Sequence, residues 1–415
     1  MDYFVERDGD TYCEGVSLAE LGKTYGTPLY VYSKKTLERH LAEFQKAFAG
    51  YPTVPCFAVK ANSNLSILKE IFGSGFGADL VSVGELRRSI KAGVDPSKIV
   101  FSGVGKRVDE MRAGLEAGIL AFNVESWFEM ETLAEVADSM GVVAPVNIRV
   151  NPNIVAETNP KIATGMYTSK FGVPENEAYQ LCEKIRGTPS LELVGLACHI
   201  GSQITDLKPL EEAGKRMTSF AMRLMKQGHN LKLLDMGGGL GIRYKGEKPP
   251  ELYEYAKVLI DQVKVSGLTL LVEPGRVLVG NIGVLLTSVM GVKTTPEKKF
   301  IVVDAAMNDL LRPSMYDSFH DILATKGGDP SFGPVDFVGP ICESGDFIGK
   351  DRMVVPVESG DFVYARGCGA YGATMVSNYN SRPRLAEVMV DGDKHRLIRR
   401  REPLENLWRF EENLD

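Results

Sequence analysis

Cysteine, histidine and long apolar runs are scarce in this chain, and each scarcity removes a class of protein. The 415 residues include six cysteines with no Cys-x-x-Cys pair, so neither a zinc site nor a disulfide framework is indicated. The five histidines show no His-x-x-x-His spacing, and no metal is expected. The longest uncharged run, Val277 to Val292, is too short to span a bilayer and is broken by Gly280, Asn281, Gly283 and Gly291. Met1-Asp2-Tyr3-Phe4-Val5-Glu6 has no basic segment followed by an apolar one, so no secretory signal is read. An excess of positive charge is also missing. Lys and Arg number 48 against 54 Asp and Glu, a net charge of −6 that argues against a nucleic-acid partner. Arg399-Arg400-Arg401 is too short to reverse that balance. These absences together lead to the expectation of a cytoplasmic protein without a membrane partner.

What is present is ordinary globular material, 44% hydrophobic and 25% charged, in a length that suits two domains. From residue 53 onward short apolar runs alternate with amphipathic segments. Strands are predicted at Pro55–Val59, Ala78–Val83, Lys98–Ser102, Ala121–Val124, Val143–Val150, Leu193–His199, Leu231–Met236 and Leu268–Val272. Helical spacing falls between them, as at Val83–Ala92, Val108–Ala117, Phe128–Ser139, Asn176–Arg186 and Lys215–Gln227. Ser33 caps an earlier helix, with Leu37, Leu41, Phe44 and Phe48 on its apolar face. Eight strands with intervening helices match a (β/α)8 TIM barrel, with a doubly wound open sheet as the alternative. Past about residue 280 helical periodicity fades, and β-rich runs separated by Gly, Pro and Asp turns read as a sandwich or small barrel. The expected division is a barrel over 26–280 and a β-rich domain over 281–415, joined by residues 1–25.

A barrel concentrates reactive side chains just after its strands, and polar residues recur there. Lys60 ends the first strand region, in Phe57-Ala58-Val59-Lys60-Ala61-Asn62, and Asp79 lies in the second. A lysine at the mouth of a buried strand is partly desolvated and prepared as a Schiff-base nucleophile; a strand-capping lysine in water is the alternative. Glu125, Arg149 with Asn151, and His199-Ile200-Gly201-Ser202 follow later strands. His199 is either a ring that stacks on a planar group or a satisfied core residue, and Ser202 could donate to a phosphate. Gly237-Gly238-Gly239-Leu240-Gly241 lets backbone N–H groups approach a phosphate, yet has neither Walker nor Rossmann spacing, so a plain tight turn stays open. Glu273-Pro274-Gly275-Arg276 joins a carboxylate that could protonate a pyridine nitrogen to a bidentate anion binder; a surface turn with an internal ion pair is the alternative. In the β-rich part, Cys342 stands out among the cysteines because Glu343, Ser344 and Asp346 make its loop polar. Gly369-Ala370-Tyr371-Gly372 could present a tyrosine hydroxyl on a turn or pack it on the core.

In their order and spacing these motifs, with Asn380-Ser381-Arg382-Pro383, resemble the alanine-racemase-like, fold-type III pyridoxal-phosphate decarboxylases over almost the whole chain. The branch they match is the one acting on meso-2,6-diaminopimelate. The resemblance implies pyridoxal 5'-phosphate carried on Lys60, with Glu273 at the pyridine nitrogen and His199 on the ring. Asp79 completes the cofactor set, and Ser202, Gly239, Gly275, Arg276 and Tyr371 surround the phosphate. Arg276, Arg312 and Tyr316 are implied at the substrate's distal carboxylate, Glu343 at its distal ammonium, Tyr371 among the other substrate contacts, and Cys342 as the proton donor to the α-carbon. Cys342 and Glu343 would reach across a homodimer, so that two subunits build each site. The expected reaction is decarboxylation of meso-2,6-diaminopimelate to L-lysine and carbon dioxide, the last step of lysine biosynthesis. Decarboxylases of ornithine, arginine or carboxynorspermidine are the alternatives; Arg312 argues against a bare distal amine. A racemase and a catalytically silent pyridoxal-phosphate carrier fit less well, given Glu273 and the second domain. One departure stands in Glu157–Gly165, where the family commonly has histidine and this chain has Asn159.

Overall fold

The computed structural model describes residues 2–154, 164–165, 169–412 and 414. Asn159 and most of its segment therefore lie outside the described residues. By packing, the chain divides into two units. One comprises Met1–His40, Arg243–Glu247 and Leu278–Asp415, and the other Leu41–Ile242 with Lys248–Val277.

The second unit is a closed barrel of eight parallel strands. They are β1 (Thr53–Ala58), β2 (Gly77–Leu80), β3 (Ile99–Phe101), β4 (Ala121–Val124), β5 (Ala144–Arg149), β6 (Leu191–Ala197), β7 (Leu233–Asp235) and β8 (Thr269–Val272). Closure is by β8 on β1, with Leu270 opposite Thr53 and Val272 opposite Pro55. The expected barrel is present, and the open-sheet alternative is not. Local signals cut the strands short. Asn64, Ser82 and Ser126 accept from the N–H of Ser66, Glu85 and Glu129, so helices Leu65–Gly73, Val83–Lys91 and Trp127–Met140 begin directly after the βα turns. Helices Val108–Ala117 and Trp127–Met140 stop at Gly118 and Gly141, both left-handed (φ 66° and 65°), where glycine carries no Cβ penalty. The helix expected from Lys215 instead starts at Lys208. Pro209 sits in its first turn, where the missing N–H costs nothing, and Asp206 accepts from the Lys208 N–H. Residues of helix Lys34–Phe48 fill the remaining place in the outer ring: Phe44 packs 5.7 Å from Phe76, and Phe48 6.0 Å from Tyr255.

The first unit is β-rich, with a three-stranded and a nine-stranded sheet. Its organising strand, Gly283–Thr294, pairs antiparallel with Leu29–Ser33, Lys299–Val303 and Phe362–Ala365. Phe4, Cys13, Leu18 and Leu21 share an apolar core with Val31, Val284, Leu286 and Val388. The strand Phe347–Val354 carries a weak sequence signal. Pro356 cannot donate to a ladder, while Lys350 and Asp351 hide the strand's apolar alternation because it lies at a sheet edge. Among the described residues no helix is long and apolar enough to cross a membrane.

Candidate active site

Strand β1 ends at Ala58, whose N–H donates to the Pro274 carbonyl after β8 at 3.0 Å. The next three residues form a single 3-10 turn, Val59–Ala61, so Lys60 stands just beyond the strand rather than on it. Register places Ala58 opposite Asp79 in β2, and Lys60 Nζ reaches Asp79 Oδ2 at 2.7 Å. The lysine side chain is 41% exposed and the Asp79 side chain fully buried, so the amine is held in place by an ion pair and is not desolvated as the sequence reading expected. The second Asp79 oxygen, Oδ1, is buried without a hydrogen-bond partner.

His199 follows β6. Its Nδ1 accepts from the Gly238 N–H at 3.2 Å, which leaves the proton on Nε2. Burial, with the cations Arg149 and Lys60 nearby, holds the imidazole pKa well below its usual value, so the ring is neutral. The glycines that follow β7 are dictated by space. A Cβ on Gly238 would lie 2.1 Å from the Glu273 carbonyl oxygen, and one on Gly239, already at φ +117°, 2.5 Å from the Gly201 carbonyl. Only bare backbone fits between these two loops. Beside them Arg276, buried at 6% exposure, donates from Nη2 to Ser202 Oγ at 3.0 Å.

Under this rim lies a set of carboxyl groups. The Glu273 N–H donates to the Gly237 carbonyl at 2.8 Å, fixing the start of the Glu273–Arg276 loop. Burial and the neighbouring Asp235 and Asp79 push the Glu273 pKa well above its usual value, against Lys60 and Arg149. Burial also pushes Asp235 up to about 7, against hydrogen bonds from the Gly237 N–H, Glu273 and Asn123. Like charges this close and this dry cannot all ionise, so the set retains a proton or recruits a cation. Asp235 was not singled out by the sequence argument. An acidic residue closing the apolar run Leu233-Leu234, just before the glycines, was the available signal. Arg149 was noted there only as a strand-end residue. It pairs with Glu125 at 2.9 Å, lies 4.8 Å from the Phe171 ring centroid, and adds its charge to this field.

Lys60, Asp79, His199, Ser202, Gly239, Glu273, Gly275 and Arg276 thus follow or lie near the C-terminal ends of parallel strands, at one mouth of the barrel. The remaining expected residues belong to the β-rich unit. Arg312 and Tyr316 bound one short helix, Arg312–Tyr316, with Arg312 buried. Cys342 is an exposed free thiol whose N–H donates to Asn380 Oδ1 at 3.3 Å. Glu343 accepts from the Tyr379 hydroxyl at 2.9 Å. Tyr371 adopts φ +56°, a left-handed conformation uncommon for a bulky residue, and Gly372 follows where a Cβ would lie 2.4 Å from the Cys368 carbonyl.

Residues 34–280 match the family model described as pyridoxal-dependent decarboxylase, pyridoxal binding domain. The chain is 48% identical over 413 residues to the diaminopimelate decarboxylase of Vibrio cholerae, covering 99% of each. Among solved structures it is similar to the diaminopimelate decarboxylase of Helicobacter pylori complexed with L-lysine. The TM-score is 0.92 at 43% identity, over 95% of this chain and 98% of that one. The enzyme of M. jannaschii in co-complex with L-lysine gives a TM-score of 0.93 at 36% identity, over 98% and 97%.

Proposed function

The chain belongs to the pyridoxal-dependent decarboxylases, and from that premise we propose that it converts meso-2,6-diaminopimelate to L-lysine and carbon dioxide, the last step of lysine biosynthesis. The observation that carries the reading is the convergence at one barrel mouth of an amine, a glycine-lined cradle and a crowded carboxyl set. These residues fit pyridoxal 5'-phosphate. Lys60 is the amine that would carry it, and the second Asp79 oxygen is buried with no hydrogen-bond partner beside that amine. Glu273 would keep a proton on the pyridine nitrogen, where a cationic ring would offset the burial and the like charges that raise the Glu273 and Asp235 pKa values. When bound, the cofactor supplies the electron sink that makes loss of carbon dioxide from an amino acid tolerable.

The other residues bind, orient and move protons. Neutral His199 covers a face of the ring without adding charge. Ser202, Gly239, Gly275, Arg276 and Tyr371 hold the phosphate, mostly through N–H and O–H donors. Arg276, Arg312 and Tyr316 hold the substrate's distal carboxylate, Glu343 its distal ammonium, and Tyr371 also touches the substrate. Two arginines with one glutamate suit an amino-acid end rather than a bare amine. Cys342 delivers a proton to the α-carbon after carbon dioxide leaves. Exposure of Cys342 and Glu343 agrees with a homodimer in which this loop serves the site of the other protomer. The β-rich unit, which extends over residues 26–40 as well as 1–25 and 281–415, supplies Cys342, Glu343 and Tyr371. Six free cysteines, five of them buried, agree with a reducing, cytoplasmic compartment.

The test is release of lysine and carbon dioxide from meso-diaminopimelate with added pyridoxal phosphate, beside ornithine and arginine. Release from diaminopimelate alone is expected. Turnover of only ornithine or arginine would overturn the substrate assignment and leave the cofactor site standing.

A further inference from the structure

Arg312 meets an imidazole, a hydroxyl and an aromatic face, and their arrangement singles out a residue that no motif pointed to. Its Nη1 lies 2.9 Å from His320 Nε2, and its Nη2 3.4 Å from Ser318 Oγ. The guanidinium stands over the Tyr244 ring, 4.6 Å from the centroid. Tyr244 in turn meets His320 edge to face, with centroids 5.5 Å apart and planes at 78°. His320 has no exposed surface and is fixed from its other side: Nδ1 lies 2.8 Å from the Arg366 carbonyl oxygen. A carbonyl only accepts, so Nδ1 carries the proton and Nε2 is left as the acceptor for Arg312. The tautomer is therefore set by the backbone. Further contacts brace the frame. Arg352 Nε donates to the His320 carbonyl at 3.2 Å, and Glu247 accepts from the Tyr244 and Lys245 N–H groups at 3.0 and 2.7 Å.

A carboxylate in the place of His320 would aim the guanidinium equally well but would cancel its charge. A neutral imidazole fixes the direction of one N–H bond and the tyrosine face fixes the plane, and neither places a negative charge against the guanidinium. We infer that His320 is a positioning residue that aims Arg312 at the substrate's distal carboxylate, with Tyr244 holding the guanidinium plane. The inference rests on the reading of Arg312 given under the proposed function and adds the residues that make that arginine selective.

The test is calorimetric titration of the pyridoxal-phosphate-loaded enzyme with L-lysine, which keeps the distal amino-acid end, and with cadaverine, which lacks the carboxylate. His320→Ala should weaken L-lysine about tenfold, the size of one lost hydrogen bond to a charged group. Cadaverine affinity should stay within about twofold, because it does not engage the arginine. His320→Gln, whose amide oxygen can accept from the guanidinium, should recover part of the loss, and it carries the test if the alanine variant does not fold. In an Arg312→Ala background the His320 substitution should add little, since the two act through one contact. Unchanged L-lysine affinity, equal weakening of both ligands, or independent effects of the two substitutions would each overturn the inference. A wild-type enzyme that neither binds L-lysine nor turns over diaminopimelate would overturn the functional reading itself, and this inference with it.

Discussion

Replacing Asp235 by asparagine should remove a pH-dependent weakness from the cofactor-free protein. Asp235 is wholly buried, accepts from the Gly237 N–H at 2.8 Å and from Asn123 Nδ2 at 3.3 Å, and has a pKa raised from 3.8 to about 7. The sign follows from which state holds the proton. Between 3.8 and about 7 the folded chain keeps a proton that the unfolded chain has released, so stability falls as pH rises through that window. Below the window the cost is absent, and above it the cost is constant. The full span corresponds to about 4 kcal/mol, of which about 2 kcal/mol falls between about pH 5.5 and neutrality. Asparagine cannot ionise. It keeps an oxygen for Gly237 but faces Asn123 with a second N–H donor, a fixed loss of about 1 kcal/mol that does not change with pH. Stability of wild type and Asp235→Asn, measured by urea unfolding without cofactor from about pH 5.5 to about pH 8, should therefore shift in the variant's favour by about 2 kcal/mol. A difference that stays flat across that range would refute the account of the carboxyl set.

Lys60→Ala should leave a folded protein to which borohydride no longer fixes pyridoxal phosphate covalently, with turnover reduced to background. Covalent retention, read by mass spectrometry, would remove Lys60 from its assigned role. Cys342→Ala should lower kcat by about 10²–10⁴-fold, the usual weight of one positioned proton donor, with cofactor absorbance retained. Unchanged turnover would remove Cys342 from the mechanism.

Local patterning carried most of the fold into the sequence. The barrel strands are buried on both faces and so appear as short apolar runs. The serine and asparagine caps and the terminal glycines mark where helices begin and end. The helix from Lys208 and the edge strand Phe347–Val354 were harder to read. A proline can open a helix as well as break one, and an edge strand can carry charges on both faces without penalty.

The sequence by itself determined the alternating barrel order, the β-rich remainder and the residues that follow each strand, because strand burial and helix capping depend on near neighbours along the chain. It also marked Lys60, His199, Glu273 and the glycines, since chemistry at a strand end needs particular residue types. Only the tertiary structure decided which partners these residues have. Asp79 meets Lys60 through strand register, Asp235 joins Glu273 through adjacent strands, and His320 sets Arg312 through a backbone carbonyl far along the chain. Electrostatics and hydrogen bonding act over a few ångströms in space, whatever the separation in sequence, and only the folded chain brings those groups within that distance.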